Sequence, residues 1–316
     1  MKRRPQALTL ARDWLVYVAV RMFICTLQAM RIETCHSVAR VLAVVASDVL
    51  RIRRGVVDDN LRHAFEQLSA RERRDLSRRM WEHLLLLICE VAHVPRKLHN
   101  TNWRDHIEFR NKREMLRLLL NDRPTVIVSG HFGNFEVAGF ALSLLGFPTY
   151  TIARPLDNPF LNRFLNKFRG ASGQYMLPKV GSAKQIALLL DASETLVLLG
   201  DQFGGPKGCW VDFFGRPASC HKAVALFSMT SGAPMIVGYA LRRDRPMRFE
   251  IGAADLADTR DGDGPLANVR SATQWYSASL EGVIRRVPEQ YWWLHRRWKD
   301  PRPKRKPPQT SDRAAA

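Results

Sequence analysis

The alternation of short apolar runs with helical segments from Thr125 onward constrains the fold most. The runs that predict strands are TVIVSG, PTYTIAR, QYMLP, TLVLLGDQ, MIVGYALRR and MRFEIGAA. Helices are predicted between them, in NFEVAGFALSLLG, NPFLNRFLNKFRG, SAKQIALLLDA and HKAVALFSMTSG. Strands that are apolar along nearly their whole length need cover on both faces, which the helical crossovers of a parallel sheet provide. The sequence therefore predicts an α/β fold with a mainly parallel central sheet flanked by helices.

The first hundred residues predict helices. Apolar residues recur at helical spacing from Leu61 to Leu68, and Ser69 with Glu72 forms a capping-box pattern that predicts the start of the next helix. These segments also carry many arginines, so we expect a basic helical region before the sheet.

An apolar run from Trp14 to Met30 follows a basic start and is interrupted by Arg21. It has no clear signal-peptide cleavage site, it is near the lower length limit for a bilayer span, and an arginine near its middle is costly there. The run predicts a membrane-anchoring helix, either spanning or interfacial, with a buried helix as the alternative. Residues 38–54 predict a second apolar helix at the same surface. The flanking basic residues expected on the cytoplasmic side are Lys2, Arg3, Arg4 and Arg12.

The charge of the chain favours an anionic partner. Its 316 residues include 49 Lys and Arg against 30 Asp and Glu, a net charge of +19. A nucleic acid, a phospholipid surface and an acidic carrier or substrate would all suit that charge. Nucleic acid is disfavoured because no zinc spacing is present and the aromatic residues cluster with apolar runs. A nucleotide-binding enzyme is disfavoured because no nucleotide-binding glycine motif follows a strand. The five scattered cysteines have no C-x-x-C pair, so neither a disulfide framework nor a metal site is expected.

A histidine follows the first predicted strand at a tight corner, in the stretch SGHFGNFE. Gly130 and Gly133 permit a sharp turn, and Asn134 is a suitable N-cap for the next helix. Because ligands bind beyond the carboxyl ends of parallel strands, His131 lies where a site is expected. If the turn returns Glu136 to the histidine, its carboxylate can fix the tautomer and raise the basicity of the other ring nitrogen. The alternative is a glutamate that only stabilises the helix dipole beside a chance histidine.

Several blocks of sequence, in order, resemble the bacterial lipid A biosynthesis late acyltransferases (lauroyl and myristoyl transferases), which are similar to lysophospholipid acyltransferases. The blocks are SGHFGNFE, ARPLDNPFLNRFLNKFRG, LGDQFGGPKGCWVDFFGRPASCHKAVALFSMTSGAPMIVGYALRR and YWWLHRRWKD, together with the N-terminal apolar run and NLRHAF. The resemblance implies a membrane-bound O-acyltransferase without a cofactor. Its implied donor is acyl carrier protein or acyl-coenzyme A, and its implied acceptor is a hydroxyl of a lipid A precursor or related phosphorylated glycolipid or lysophospholipid.

The same resemblance implies a location at the cytoplasmic face of the bacterial inner membrane, against an anionic surface and with no nucleic acid as partner. Two alternatives stay open: an acceptor such as a mannosylated phosphoinositide, and a non-catalytic basic protein that binds membranes.

The family has an H-x-x-x-x-D/E motif, which His131 and Glu136 match. The resemblance therefore implies that His131 is the general base and that Glu136 orients it. It also makes Arg154, Asp201 and Gln202 candidates, since they end predicted strands at the same edge of the sheet.

Arg154 is expected to bind an acceptor phosphate, and Asp201 to hold Arg154 or Arg169 in place. Arg154 can equally be a solvated surface residue and Asp201 a turn or cap residue. Arg216, in FFGRPAS, is a weaker phosphate candidate. The backbone N–H groups of Gly133 and Asn134, at a helix start, are predicted to stabilise the oxyanion.

These features divide the chain into four predicted regions. Residues 1–31 are a membrane-anchor helix, 32–120 a basic helical region, 121–300 the α/β acyltransferase core and 301–316 a disordered basic tail. The segment WWLHRRWK predicts an interface anchor near the lipid headgroups, with a simple terminal helix as the alternative.

Overall fold

The computed structural model describes residues 6–262 and 264–299. The predicted tail, residues 301–316, and the basic residues at positions 2–4 lie outside the described residues.

The described residues form ten α-helices and nine strands. The helices are α1 (Gln6–Ala29), α2 (Ile32–Val44), α3 (Arg54–Ala64), α4 (Ala70–Lys97), α5 (Lys112–Leu119), α6 (Phe135–Leu144), α7 (Pro159–Gly170), α8 (Ala183–Asp191), α9 (Ala223–Ser231) and α10 (Val269–Arg286). The strands are β1 (Ile107–Arg110), β2 (Thr125–Ser129), β3 (Thr149–Ala153), β4 (Gln174–Pro178), β5 (Thr195–Leu199), β6 (Cys209–Phe213), β7 (Arg216–Cys220), β8 (Met235–Arg242) and β9 (Phe249–Ala257).

Seven strands form one central sheet in the order β1-β9-β8-β2-β5-β3-β4. All neighbouring strands are parallel except β8 and β9, which pair antiparallel. The predicted α/β fold with a mainly parallel sheet flanked by helices is therefore confirmed. The strands β6 and β7 form a separate antiparallel hairpin, which the sequence did not predict.

Burial of both sheet faces explains the apolar strands. In β2, Val126 and Val128 belong to a core cluster with residues of α8, α9 and α10. The intervening Ile127 belongs to a cluster on the opposite face, with Met115 and Leu142 of α5 and α6. Since successive side chains of a strand point to opposite faces, no position along such a strand favours a polar residue.

The sheet opens at the carboxyl ends of two strands. β3 and β5 pair over only three positions, Thr149–Thr151 with Thr195–Val197. By contrast, β2 with β5, and β3 with β4, pair along five positions each. Because β3 and β5 do not pair with each other beyond Thr151 and Val197, a crevice can form between their carboxyl ends.

The N-terminal helices pack on α4, which begins with the predicted capping box. The Ser69 hydroxyl accepts from the Glu72 backbone N–H at 3.3 Å, and the Glu72 carboxylate accepts from Ser69 N–H at 2.8 Å. One face each of α1, α2 and α4 meets in a small core cluster. Among the helices that the structure describes, none is both long enough and apolar enough to span a bilayer.

The predicted start of the α/β core at residue 121 lies after β1, which pairs with β9 in the central sheet. The four-region division of the chain stays a prediction.

Candidate active site

The turn after β2 is built by two glycines and a helix cap. Gly133 has φ +57°, and a Cβ there would overlap the carbonyl oxygen of Ala240, so glycine is required at this position. The side-chain oxygen of Asn134 accepts from Val137 N–H at 3.2 Å, as predicted for the N-cap of α6. The turn thus places His131 beyond the end of β2 and fixes where α6 begins.

His131 is held by Asp201, which follows the neighbouring strand β5. The ring Nδ1 lies 2.9 Å from Asp201 Oδ1, and the His131 backbone N–H donates to Asp201 Oδ2 at 3.0 Å. Asp201 is only 2% exposed. Burial alone would raise the pKa of Asp201, but the charge and hydrogen bonds of His131 hold it below its ordinary value. An ionised Asp201 accepts the Nδ1 proton and leaves the Nε2 lone pair of His131 free to act as a base.

The expected pairing of Glu136 with His131 is not formed. Glu136 instead accepts two hydrogen bonds from Arg169 at the end of α7, one from Nε at 3.0 Å and a second from Nη2. The physical reason is that Glu136 already lies in the first turn of α6, which directs its side chain toward α7 rather than back to the histidine. The expectation that Asp201 holds Arg154 or Arg169 is also wrong, because both Asp201 oxygens are used by His131.

The predicted oxyanion donors are not available. The Gly133 N–H donates to the Gln290 carbonyl at 2.9 Å, and the Asn134 N–H donates to the Ala240 carbonyl at 2.8 Å. Both groups are buried in the contacts that anchor the turn to β8 and to the C-terminal segment. These N–H groups therefore hold the turn in place, and other groups must donate hydrogen bonds to an oxyanion.

Gln202 connects His131 to a second histidine that the sequence did not single out. Its Nε2 lies 3.2 Å from Nε2 of His131 and 3.3 Å from Nε2 of His295. An amide nitrogen carries two hydrogens, so it can donate one to each ring. Burial, reinforced by His131 and nearby arginines, lowers the pKa of His295 against the opposing effect of Asp201. A neutral His295 can accept the second hydrogen.

The C-terminal segment is part of the site, and its predicted role as an interface anchor stays a prediction. The backbone N–H of Trp292 donates to the His131 carbonyl at 3.1 Å, and the centroids of the Trp292 and His131 rings are 5.3 Å apart. Trp293 and Arg297 are 1% and 2% exposed, respectively. Arg297 donates to the Ser219 carbonyl at 2.7 Å, which pulls the segment against the β6–β7 hairpin.

A buried charged network lies beneath the turn. Glu90 of α4 is fully buried and accepts from Arg242 Nε at 2.7 Å, from Arg242 Nη2 at 2.6 Å and from Asn134 Nδ2 at 2.9 Å. Nε2 of His83 lies 3.2 Å from the Gly133 carbonyl, and its Nδ1 lies 2.6 Å from Arg242 Nη1. Burial and the charge of Arg242 lower the pKa of His83 well below its ordinary value, so a neutral His83 donates to Gly133 and accepts from Arg242. The network fixes the turn that carries His131.

A cavity of about 660 Å³ opens beside His131 at this edge of the sheet. It extends into the crevice between the carboxyl ends of β3 and β5, which do not pair with each other. Residues 151–154 and 197–199 line it there. The apolar residues Ile152, Ile186, Val224 and Phe227 form much of its wall.

The three predicted arginines differ in their position relative to the cavity. Arg169 lines the cavity beside Glu136, and Arg154 lies at its edge with an exposed side chain that pairs with Asp157 at 2.8 Å. Arg216 starts β7 at the turn of the β6–β7 hairpin, is exposed and does not line the cavity. The hairpin carries it away from the strand ends, so Arg216 is not a candidate for this site.

Comparisons of the chain with known proteins agree on one family. A profile of the bacterial lipid A biosynthesis acyltransferases matches residues 1–300. The chain is 23% identical over 290 residues to the lipid A biosynthesis palmitoleoyltransferase of Escherichia coli (strain K12), covering 91% of this chain and 92% of that protein. It is 23% identical over 301 residues to the lipid A biosynthesis lauroyltransferase of the same organism, covering 93% and 94%. The predicted O-acyltransferase class is thereby confirmed, and the chain belongs to the bacterial lipid A biosynthesis acyltransferase family.

Proposed function

We propose that this enzyme transfers a fatty acyl group from an acyl thioester to a hydroxyl of a lipid A precursor or a related phosphorylated glycolipid or lysophospholipid. The observation that carries the proposal is His131 held by the buried Asp201 at the mouth of a largely apolar cavity. The donor is acyl carrier protein or coenzyme A, which present the acyl chain through the same thioester. The names of the similar E. coli enzymes support lipid A as the acceptor class.

In this mechanism His131 is the general base. Its Nε2 takes the proton of the acceptor hydroxyl while the oxygen attacks the thioester carbonyl. The carbon–sulfur bond of the tetrahedral intermediate then breaks, and the imidazolium returns the proton to the leaving thiolate. Asp201 keeps Nδ1 protonated throughout and stabilises the imidazolium as it forms.

Gln202 is the side chain placed to assist at the reacting centre. Its amide nitrogen already lies 3.2 Å from the Nε2 that receives the proton. The acceptor hydroxyl takes the place of that hydrogen bond, which frees an amide hydrogen for the developing oxyanion. This role replaces the one expected of the Gly133 and Asn134 backbone.

The residues that line the cavity support a proposal for how the rest of each substrate binds. Ile152, Ile186, Val224 and Phe227 offer an apolar surface to the acyl chain. Arg169, oriented by Glu136, keeps guanidinium hydrogens for a polar or phosphorylated part of the acceptor. The exposed Arg154 meets an acceptor phosphate at the cavity edge.

Product analysis tests the function. Purified enzyme, an acyl thioester and a lipid A precursor are expected to give a product heavier by one fatty acid less one water, seen by mass spectrometry of the lipid. Acyl carrier protein and coenzyme A are supplied separately to identify the donor. A folded enzyme that acylates no lipid A precursor, glycolipid or lysophospholipid with either donor would contradict the proposal.

Association with the cytoplasmic face of the inner membrane is proposed through α1 and α2. The exposed apolar residues of this surface are Leu8, Leu10, Trp14, Leu15, Val16, Met22 and Phe23 of α1, and Val38, Val41, Leu42 and Val44 of α2. Exposed apolar patches of this kind mark sites of membrane or protein contact. Arg51, Arg53 and Arg54 follow closely and suit anionic headgroups.

This surface predicts how the protein partitions. High salt should leave it in the membrane pellet, because apolar contacts are not screened, whereas detergent should release it. Replacing Leu15, Met22 and Phe23 together with glutamine should lower binding to vesicles containing anionic lipid by roughly tenfold or more. Leu188→Gln is the control, since Leu188 is 60% exposed on α8, away from the proposed surface. Equal vesicle binding by the triple variant and the wild type would contradict the assignment.

A further inference from the structure

Two helices begin at one side of the cavity. Ser182 and Ala183 at the start of α8, and His221 and Ala223 at the start of α9, all line it. The first backbone hydrogen bonds of the two helices are Ile186 N–H to the Ser182 carbonyl and Leu226 N–H to the Lys222 carbonyl, at 2.8 Å and 3.0 Å. Among the residues that the structure describes, the preceding N–H groups of each first turn have no acceptor. Helix N-termini carry partial positive charge and bind anions.

Ser182 supplies a second, independent observation. It occupies the N-cap position of α8, yet its side chain caps no backbone N–H. The residue is only 4% exposed, lines the cavity, and its hydroxyl has no hydrogen-bond partner among the described residues. Its hydroxyl oxygen is not one of the fully buried atoms of the described residues, so it is open to the cavity and can donate a hydrogen bond to an acceptor that enters there.

The charges around Ser182 select an anion. Lys179 lines the cavity, and the ion pairs of the described residues do not include it. Among the described residues, the one carboxylate of the cavity wall is Glu136, which Arg169 already engages. His221 lies close enough to Lys179 for its pKa to be lowered, first by burial and then by the lysine charge. A neutral His221 can still donate one ring N–H.

We propose that Lys179, Ser182, His221 and the N-termini of α8 and α9 bind a phosphate group of one of the two substrates. The inference deepens the acyl transfer proposed above and rests on it. Two substrates offer such a phosphate. One is the donor, through the phosphate of the phosphopantetheine arm that carrier protein and coenzyme A share, and the other is the glycolipid acceptor. The cluster shares no residue with Arg154 and Arg169, so it is a second phosphate-binding group in the same cavity.

The test compares Lys179→Gln and Ser182→Ala with Lys112→Gln. Lys112 lies exposed at the start of α5 and does not line the cavity, so its variant removes the same charge outside the site. KM is measured with acyl-phosphopantetheine and acyl-pantetheine as donors, and with phosphorylated and dephosphorylated acceptors. We expect Lys179→Gln and Ser182→Ala to raise the KM of one phosphorylated substrate by about tenfold. The KM of the same substrate without its phosphate should change little.

The substrate whose KM rises identifies the source of the phosphate, and either identity supports the site. Equal KM changes with and without the phosphate, or KM values equal to those of Lys112→Gln, would overturn it. If the wild type proves inactive, the proposed function fails, but the site is still tested by calorimetric binding of inorganic phosphate. Lys179→Gln should then bind phosphate about tenfold more weakly than Lys112→Gln, and equal affinities would exclude the site.

Discussion

Replacing Asp201 with asparagine should lower acyl-transfer turnover by about 10²–10⁴-fold while the protein stays folded. The carboxylate accepts the Nδ1 proton of His131 at 2.9 Å and its backbone N–H at 3.0 Å. An amide is neutral, so it no longer stabilises the imidazolium, and its NH₂ group can favour the tautomer that lacks the Nε2 lone pair. Turnover at saturating substrate measures the effect, and thermal unfolding verifies the fold.

Glu136→Gln is the matched control for this prediction. Glu136 bonds Arg169 rather than His131, so its loss should weaken substrate binding more than it slows proton transfer. We expect a rise in the KM of the acceptor and a smaller fall in turnover than Asp201→Asn gives. A turnover loss as large as that of Asp201→Asn, with unchanged KM, would instead support the role that the sequence motif suggests, in which Glu136 orients His131.

Glu90→Ala should lower the free energy of unfolding by about 3–5 kcal/mol, because breaking a buried ion pair leaves the other charge unpaired. Arg242 would lose two hydrogen bonds, and Asn134 and the Met247 N–H one each. The loss is measured from urea unfolding at a pH where the native protein is stable.

The double variant Glu90→Leu/Arg242→Met shows how much of the stability loss comes from leaving a charge unpaired and how much from losing the hydrogen-bond network. Removing both charges should cost less stability than Glu90→Ala alone, since no charge is left buried without a partner. Glu66→Ala, at an exposed glutamate, should change stability by within about 0.5 kcal/mol. Indistinguishable unfolding of Glu90→Ala and Glu66→Ala would show that the pair contributes little.

The sheet could be predicted because its signal is local. Each strand of the sheet centre is buried on both faces, so five or six consecutive residues such as TVIVSG are enough to identify it. The cap of α6 is equally local, since Asn134 bonds a backbone group three residues away. The hairpin β6–β7 carried no such signal, because its strands mix polar, small and aromatic residues.

The partner of His131 could not be predicted from spacing. Asp201 lies 70 positions further along the chain, and only the pairing of β2 with β5 brings the two strand ends together. Sequence could place both residues at one edge of the sheet, but the order of strands within the sheet depends on contacts between distant segments. Glu136 was the nearer acid, and the direction of the first helical turn decided against it.

The buried network was missed although a signal existed. Glu90 lies in LLLLICEVA, where a single acid interrupts an apolar stretch of α4. In one sequence such an acid resembles the solvent-facing charges of any amphipathic helix, and its partner Arg242 looks like a basic strand end. Their proximity arises only when α4 packs beneath the turn, next to β8. His295 was obscured in the same way by its basic and aromatic neighbours.

The central claim is that His131 is the base and that Asp201 acts through it. It is tested most directly by the turnover of His131→Ala, Asp201→Asn and the double variant, each verified as folded and measured at saturating donor and acceptor. We expect His131→Ala to abolish transfer and the double variant to be scarcely slower, because residues that act as a unit are not additive. Near-normal turnover by a folded His131→Ala enzyme would contradict the account.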